Sequence, residues 1–81
     1  MLKPTYIFSK DVYRELDRAR KKHKKLNSLH EGFGVLLEEI DEFWNEVKKQ
    51  PKNRNKQRTY HELSQIAAVA QRIAEDLLIK N

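Results

Sequence analysis

The sequence contains no cysteine, which removes disulfide cross-links and thiolate metal sites and fits a reducing cytoplasm. It holds only two glycines and two prolines in 81 residues, and its β-branched residues do not cluster. A chain this poor in breakers, with no strand-like alternation, reads as all-α. No apolar run approaches the roughly 20 residues of a membrane span. The opening "MLKPTYIFSK" lacks the apolar stretch of a secretory signal. The expected location is therefore cytoplasmic, with no membrane partner.

What is present in quantity is charge. Seventeen Lys and Arg against twelve Asp and Glu give a net charge of +5, and the isoelectric point is near 9.6. Charged residues make up 36% of the chain, yet the apolar residues recur at helical spacing, which argues against disorder. The cation surplus makes a polyanion or a phosphate-bearing ligand one candidate partner. A single domain over 1–81 is expected, and a core this small commonly gains stability by self-association.

About three helices are predicted. Residues 1–8 read as an extended lead-in, with Pro4 set against early helix. Ser9 reads as the N-cap of a first helix over 10–26, with Val12, Leu16, Ala19 and Leu26 at helical spacing. "SLHE", Ser28 to Glu31, has the form of a capping box and opens a second helix over 29–49. Its stripe is Leu36, Ile40, Phe43 and Val47, widened by Phe33, Leu37 and Trp44. A polar, basic connection over 48–58 carries Pro51. "TYHE", Thr59 to Glu62, is a second capping box, opening a third helix over 60–79. The stripe there is Leu63, Ile66, Ala67, Ala70, Ile73, Ala74 and Leu77, whose alanines permit close approach of another helix. Helices two and three are expected to pair antiparallel and to complete a four-helix-bundle-like core on oligomerisation, burying Trp44 and the alanine-rich stripe between chains.

The second helix is acidic in a basic chain. Glu31, Glu38, Glu39, Asp41, Glu42 and Glu46 fall within sixteen residues. Glu39 and Glu42 are three apart and Glu38 and Glu42 four apart, so both pairs lie side by side, at a cost of roughly 0.2–0.5 kcal/mol per pair. Neighbouring lysines and arginines would offset that, or a hard divalent cation such as Mg²⁺ or Mn²⁺ bound by the oxygens. A solvated acidic face is the plain reading. The acids nonetheless border the apolar stripe, where carboxylates can point into a groove between helices, and Glu62 opens the helix expected to pack alongside. His30 and His61 each precede a capping glutamate, and neither has a second histidine at ligand spacing, so zinc is not expected.

The stretch "HEGFGVLLEEIDEFWNEVKK", a basic connection and "ELSQIAAVAQRIAEDL" together resemble the MazG-like all-α nucleoside triphosphate pyrophosphohydrolases, in particular the short single-domain members of phage and integron type. The resemblance covers about 28–77. The family pattern is E-E-x-x-E, a spacer, then E-x-x-D. The first half stands as Glu38-Glu39-Ile40-Asp41-Glu42, and the second as Glu62-Leu63-Ser64-Gln65, with glutamine where the family has aspartate. The resemblance implies hydrolysis of a nucleoside or deoxynucleoside triphosphate to the monophosphate and pyrophosphate, with Mg²⁺ or Mn²⁺ as cofactor, as a cleaner of the nucleotide pool. It implies Glu39, Glu42 and Glu62 as metal ligands, with Gln65 as a weaker neutral one, and Glu38 as a catalytic carboxylate beside Glu39 and Glu42. Lys48 and Arg58, nearest the helix ends, are the expected phosphate contacts. A homodimer or homotetramer is expected.

A different class of function is a catalytically weak or inactive helical module that binds nucleic acid or a protein through the basic runs Arg18–Lys25 and Lys48–Arg58. Against nucleic acid stands the acidic helix, which repels phosphates unless it faces away.

Overall fold

The computed structural model describes residues 2–79 and is all-helical, with three helices and no strand among those residues. The first helix, α1, is Pro4–Lys22, the second, α2, is Leu29–Val47, and the third, α3, is Lys56–Ile73. The last turn of the chain widens into a π-helical segment over Ala74–Leu78, closed by the Ile79 amide donating to the Ala74 carbonyl at 2.8 Å.

The extended lead-in and the Ser9 cap expected from the sequence are not present. Pro4 occupies the first helical position after Lys3, where its missing N–H costs nothing and its fixed φ suits the helix. Starting early places Phe8 one turn before Val12 and Leu16, and these three face Ala67 and Ala68 of α3. Phe8 also meets the Tyr60 ring edge-to-face at 5.7 Å. At its other end α1 stops at Lys22 rather than near residue 26. Leu26 leaves the helix to become buried, and its amide donates to the Asp76 carboxylate at 2.9 Å.

The π segment explains that anchor. A wider turn brings the consecutive residues Glu75 and Asp76 to the same guanidinium: Arg20 donates to Glu75 at 2.8 Å and to Asp76 at 2.6 Å. Burial alone would raise the Asp76 carboxyl, but the Leu26 amide and the Arg20 charge outweigh it and hold it below the usual range.

The α2 cap is half of what "SLHE" suggests. The Ser28 hydroxyl accepts from the Glu31 amide at 3.0 Å, while Glu31 reaches one residue further back, to the Asn27 amide at 2.8 Å. The connection after α2 is more structured than a solvated linker. It holds a 3₁₀ turn over Pro51–Asn53. Arg54 caps the Val47 carbonyl with two donors at 3.1 and 2.6 Å. Buried Glu46 accepts from the Asn55 amide at 2.6 Å and from Lys49 at 3.0 Å. Asn55, not Thr59, is the N-cap of α3, its side chain accepting from the Arg58 amide at 3.0 Å. Thr59 lies inside the helix with its hydroxyl on the Asn55 carbonyl.

Helix α3 packs on both other helices, which scarcely touch each other. The result is thin: the principal extents are 44 × 34 × 19 Å and the radius of gyration is 13.9 Å, against about 12 Å for a compact chain of this length. The buried face of α3 is Ser64, Ala68, Val69 and Arg72. The expected apolar stripe is only partly covered, with Leu63 and Ala70 exposed. On α2, Phe33, Leu37, Ile40 and Trp44 are exposed as well.

Helices α2 and α3 run antiparallel, with Gly32 near the start of one against Ile73 at the end of the other. A Cβ on Gly32 would lie 2.8 Å from Ile73 Cγ1, whereas a Cβ on Gly34 would meet nothing within 4 Å. Gly34→Ala is therefore expected to stabilise the fold by about 1 kcal/mol through helix propensity. Gly32→Ala should lose that gain to the displaced Ile73 and lower the melting temperature, as read by thermal circular dichroism.

Candidate metal centre

Helical spacing puts Glu39 and Glu42 on one side of α2, and the antiparallel pairing brings Glu62, in the second turn of α3, alongside them. One carboxylate oxygen from each lies within 4.8 Å of the other two. Because Asn55 and Thr59 leave Glu62 no capping duty, its carboxylate is free to face α2. Glu39 Oε2 and Glu62 Oε2 are buried and have no hydrogen-bond partner among the described residues. Such an oxygen ordinarily costs about 1–3 kcal/mol, and more when charged.

The titration of the cluster reflects that cost. Burial, and then the Glu42 carboxylate beside it, push Glu39 up to about 7, with Glu62 and Glu38 adding to the effect. Glu62 is raised by burial and by Glu42, with His61 and Arg58 opposing. Glu39 and Glu62 thus resist ionisation because both are partly buried beside Glu42.

The donor set suits a hard dication, since all three ligands are carboxylate oxygens. Gln65 lies one helical turn beyond Glu62.

Gln65 and Glu38 both line a groove of about 340 Å³ that Glu39 also borders. The other residues of the sequence-derived site fall elsewhere. Lys48 is the exposed C-cap of α2, and Arg58 is an exposed residue in the first turn of α3. Neither lines the groove, although the Arg58 charge opposes the rise at Glu62 and adds to the lowering of Glu46. Glu31 caps α2, and Glu46 anchors the connection. His61 lies 3.7 Å from Glu15.

Two charged groove residues carry no signal in the sequence, Glu15 of α1 and Arg72 of α3. Arg18, Lys22 and His23, the last at the C-cap of α1, belong to the basic run Arg18–Lys25, and Ala19 to the first helix's stripe. The i, i+3, i+4, i+7 spacing of Glu15, Arg18, Ala19 and Lys22 is readable, but nothing in the sequence says that this face lies opposite α2.

Comparison with known proteins adds no family: no protein-family model matches the chain, and no curated protein or solved structure matches it.

The raised Glu39 carboxyl fixes two pH effects. Its folded value lies above the 4.5 of the free group, so the folded state holds the extra proton between the two. The contribution of Glu39 to stability is then present at low pH and lost as pH rises from about 4.5 to 7. A metal bound through Glu39 must displace that proton, so Mn²⁺ affinity should weaken by about fivefold from pH 7 to pH 6, measured by calorimetry with its proton release. The increase in melting temperature with Mn²⁺ should be larger at pH 8 than at pH 6.

Proposed function

We propose that the chain is a metal-dependent nucleoside triphosphate pyrophosphohydrolase of the MazG-like type, acting in the cytoplasm on the nucleotide pool. The observation that carries this reading is the convergence of Glu39, Glu42 and Glu62 from two helices, with two buried carboxylate oxygens that have no hydrogen-bond partner among the described residues. The E-E-x-x-E pattern supports it.

Glu39, Glu42 and Glu62 would hold Mg²⁺ or Mn²⁺, and the amide oxygen of Gln65 is the neutral fourth candidate. When bound, the metal offsets phosphate charge and makes water more acidic. In the reaction, water oxygen bonds to the α-phosphorus, the bond from that phosphorus to the α–β bridging oxygen breaks, and pyrophosphate leaves with the electron pair. Glu38 faces the groove one residue before Glu39 and is placed to orient the water and take its proton. Arg58, beside Glu62, is the better placed of the two expected phosphate contacts; Lys48 lies about 9 Å further along the α2 axis than Glu42.

A homodimer or homotetramer belongs to the same proposal. Phe33, Leu37, Ile40 and Trp44 recur at spacings of four, three and four, and each is at least 41% exposed. That is the seam of a helix pairing with another helix, and it suits a domain only 19 Å thick. Leu37→Glu, or Trp44→Glu, should shift the sedimenting species to monomer; a wild-type chain that is monomeric at high micromolar concentration would remove the seam from the proposal.

The exposed run Lys21–Lys25 keeps nucleic-acid binding as the second reading. A screen of nucleoside triphosphates with Mg²⁺ or Mn²⁺, scored by product identity, separates the two. Pyrophosphate and monophosphate support the enzyme, and salt-sensitive DNA binding without them supports the module. Glu42→Gln should abolish pyrophosphate release with helical circular dichroism unchanged. Loss of helicity would make Glu42 structural instead.

A further inference from the structure

The groove beside the carboxylates has a charge pattern that a metal alone does not explain. It runs where α1 and α2 diverge over α3, and its floor is Gln65, Ala68, Val69 and Arg72. From Gln65 to Arg72 is about 10 Å along the α3 axis. The carboxylates of Glu38 and Glu39 stand at the Gln65 end.

Arg72 is 5% exposed, and its Nε is buried with no hydrogen-bond partner among the described residues. No carboxylate lies within 4.0 Å of it among those residues; Asp76 is near enough for the Arg72 charge to help lower its carboxyl, but its oxygens are taken by Arg20 and the Leu26 amide. A guanidinium is always charged and its planar donors match phosphate oxygens, so a buried, unpaired one is costly without an anion. Neighbouring cations of α1 are committed. Arg18 pairs with Glu15 at 3.1 Å, Lys21 with Asp17 at 3.1 Å, and Arg20 with Glu75 and Asp76. Lys22 also lines the groove and has no such partner among the described residues.

We propose that this groove seats an oligophosphate chain, with Arg72 and Lys22 as its cationic contacts. The proposal rests on the metal reading above, because Glu38 and Glu39 at the same groove would repel a bare anion, whereas a metal-bound polyphosphate carries both signs in the order the groove presents them. It moves the phosphate contacts from the α2–α3 connection to the far wall.

The test uses the full chain and inorganic tripolyphosphate, with and without Mn²⁺, and a non-hydrolysable nucleoside triphosphate in a parallel arm. Binding of both probes with Mn²⁺ should weaken by about tenfold in Lys22→Ala and in Arg72→Gln, with affinity for Mn²⁺ alone unchanged. Tripolyphosphate should shift the Arg72 Nε–H resonance in the wild-type protein. If Arg72→Gln fails to fold, the exposed Lys22→Ala variant and that resonance decide. Unchanged affinity in Lys22→Ala, together with an unmoved Arg72 signal, overturns the proposal. Tripolyphosphate that shifts Arg72 while Mn²⁺ binding is indifferent to Glu42→Gln upholds the groove and sinks the metal reading. Tight tripolyphosphate with no nucleotide binding upholds the groove for inorganic polyphosphate and removes the nucleotide as its source.

Discussion

Repulsion among three carboxylates on the α2–α3 seam is the constraint on which the rest of the structure turns. Left free, Glu39, Glu42 and Glu62 would separate and take their charge into water. They are kept within 4.8 Å because α2 is pinned to α3 on either side of them. At one end Gly32 admits Ile73 into the helix contact. At the other, buried Glu46 takes the Asn55 amide and so fixes where α3 begins. The energy of those contacts offsets a locally unfavourable cluster, which is how strained functional sites persist in stable folds. The raised Glu39 carboxyl is the residue of strain that the packing does not remove.

The net charge of +5 is therefore a poor guide to where the chain meets anions. Much of the positive charge is internal bookkeeping within and between helices. Arg20 ties α1 to the π segment, Arg54 caps α2, and Lys49 answers Glu46. Arg14, Arg18 and Lys21 sit in pairs three or four residues apart along α1, each worth a few tenths of a kcal/mol at most. What distinguishes Arg72 is burial without an acceptor, which neither composition nor a run of basic letters reveals.

Much of this was legible in the sequence, and the failures have physical causes. The helix count, the Ser28 cap and the acids that meet on the seam follow from periodicity and spacing. Pro4 reads as a breaker in the sequence, yet at the first helical position it starts α1, and Phe8 extends the Val12–Leu16 stripe. Thr59 and Glu62 fit the capping-box spacing, but the Glu46 contact to the Asn55 amide that sets the start of α3 is non-local and carries no sequence signal. The face that α3 buries is rotated from its most apolar stripe: Ser64, Ala68, Val69 and Arg72 are buried and Ile66, Ala67, Ile73, Ala74 and Leu77 half-buried, while Leu63 and Ala70 lie outside.

That rotation links the fold to the proposed site. A helix that turned its most apolar face fully inward would leave Arg72 in water, where an arginine needs no partner. Because α3 instead serves α1 with small residues, Ala67 and Ala68, Arg72 is drawn into the fold and its Nε is buried, while the residue still lines the groove. The same helix, two turns earlier, presents Gln65 and Glu62 toward the acidic face of α2. One element thus carries a buried cation and, about 15 Å earlier along its axis, a carboxylate crowded by others; of the acids on the seam it is Glu39 that borders the groove leading to Arg72. The two are too far apart to pair with each other. A ligand that is positive at one end and negative at the other relieves both at once, whereas a free anion or a free cation relieves one and aggravates the other. Metal-bound polyphosphate has that polarity, which is the physical reason to prefer it over a bare anionic partner for this chain.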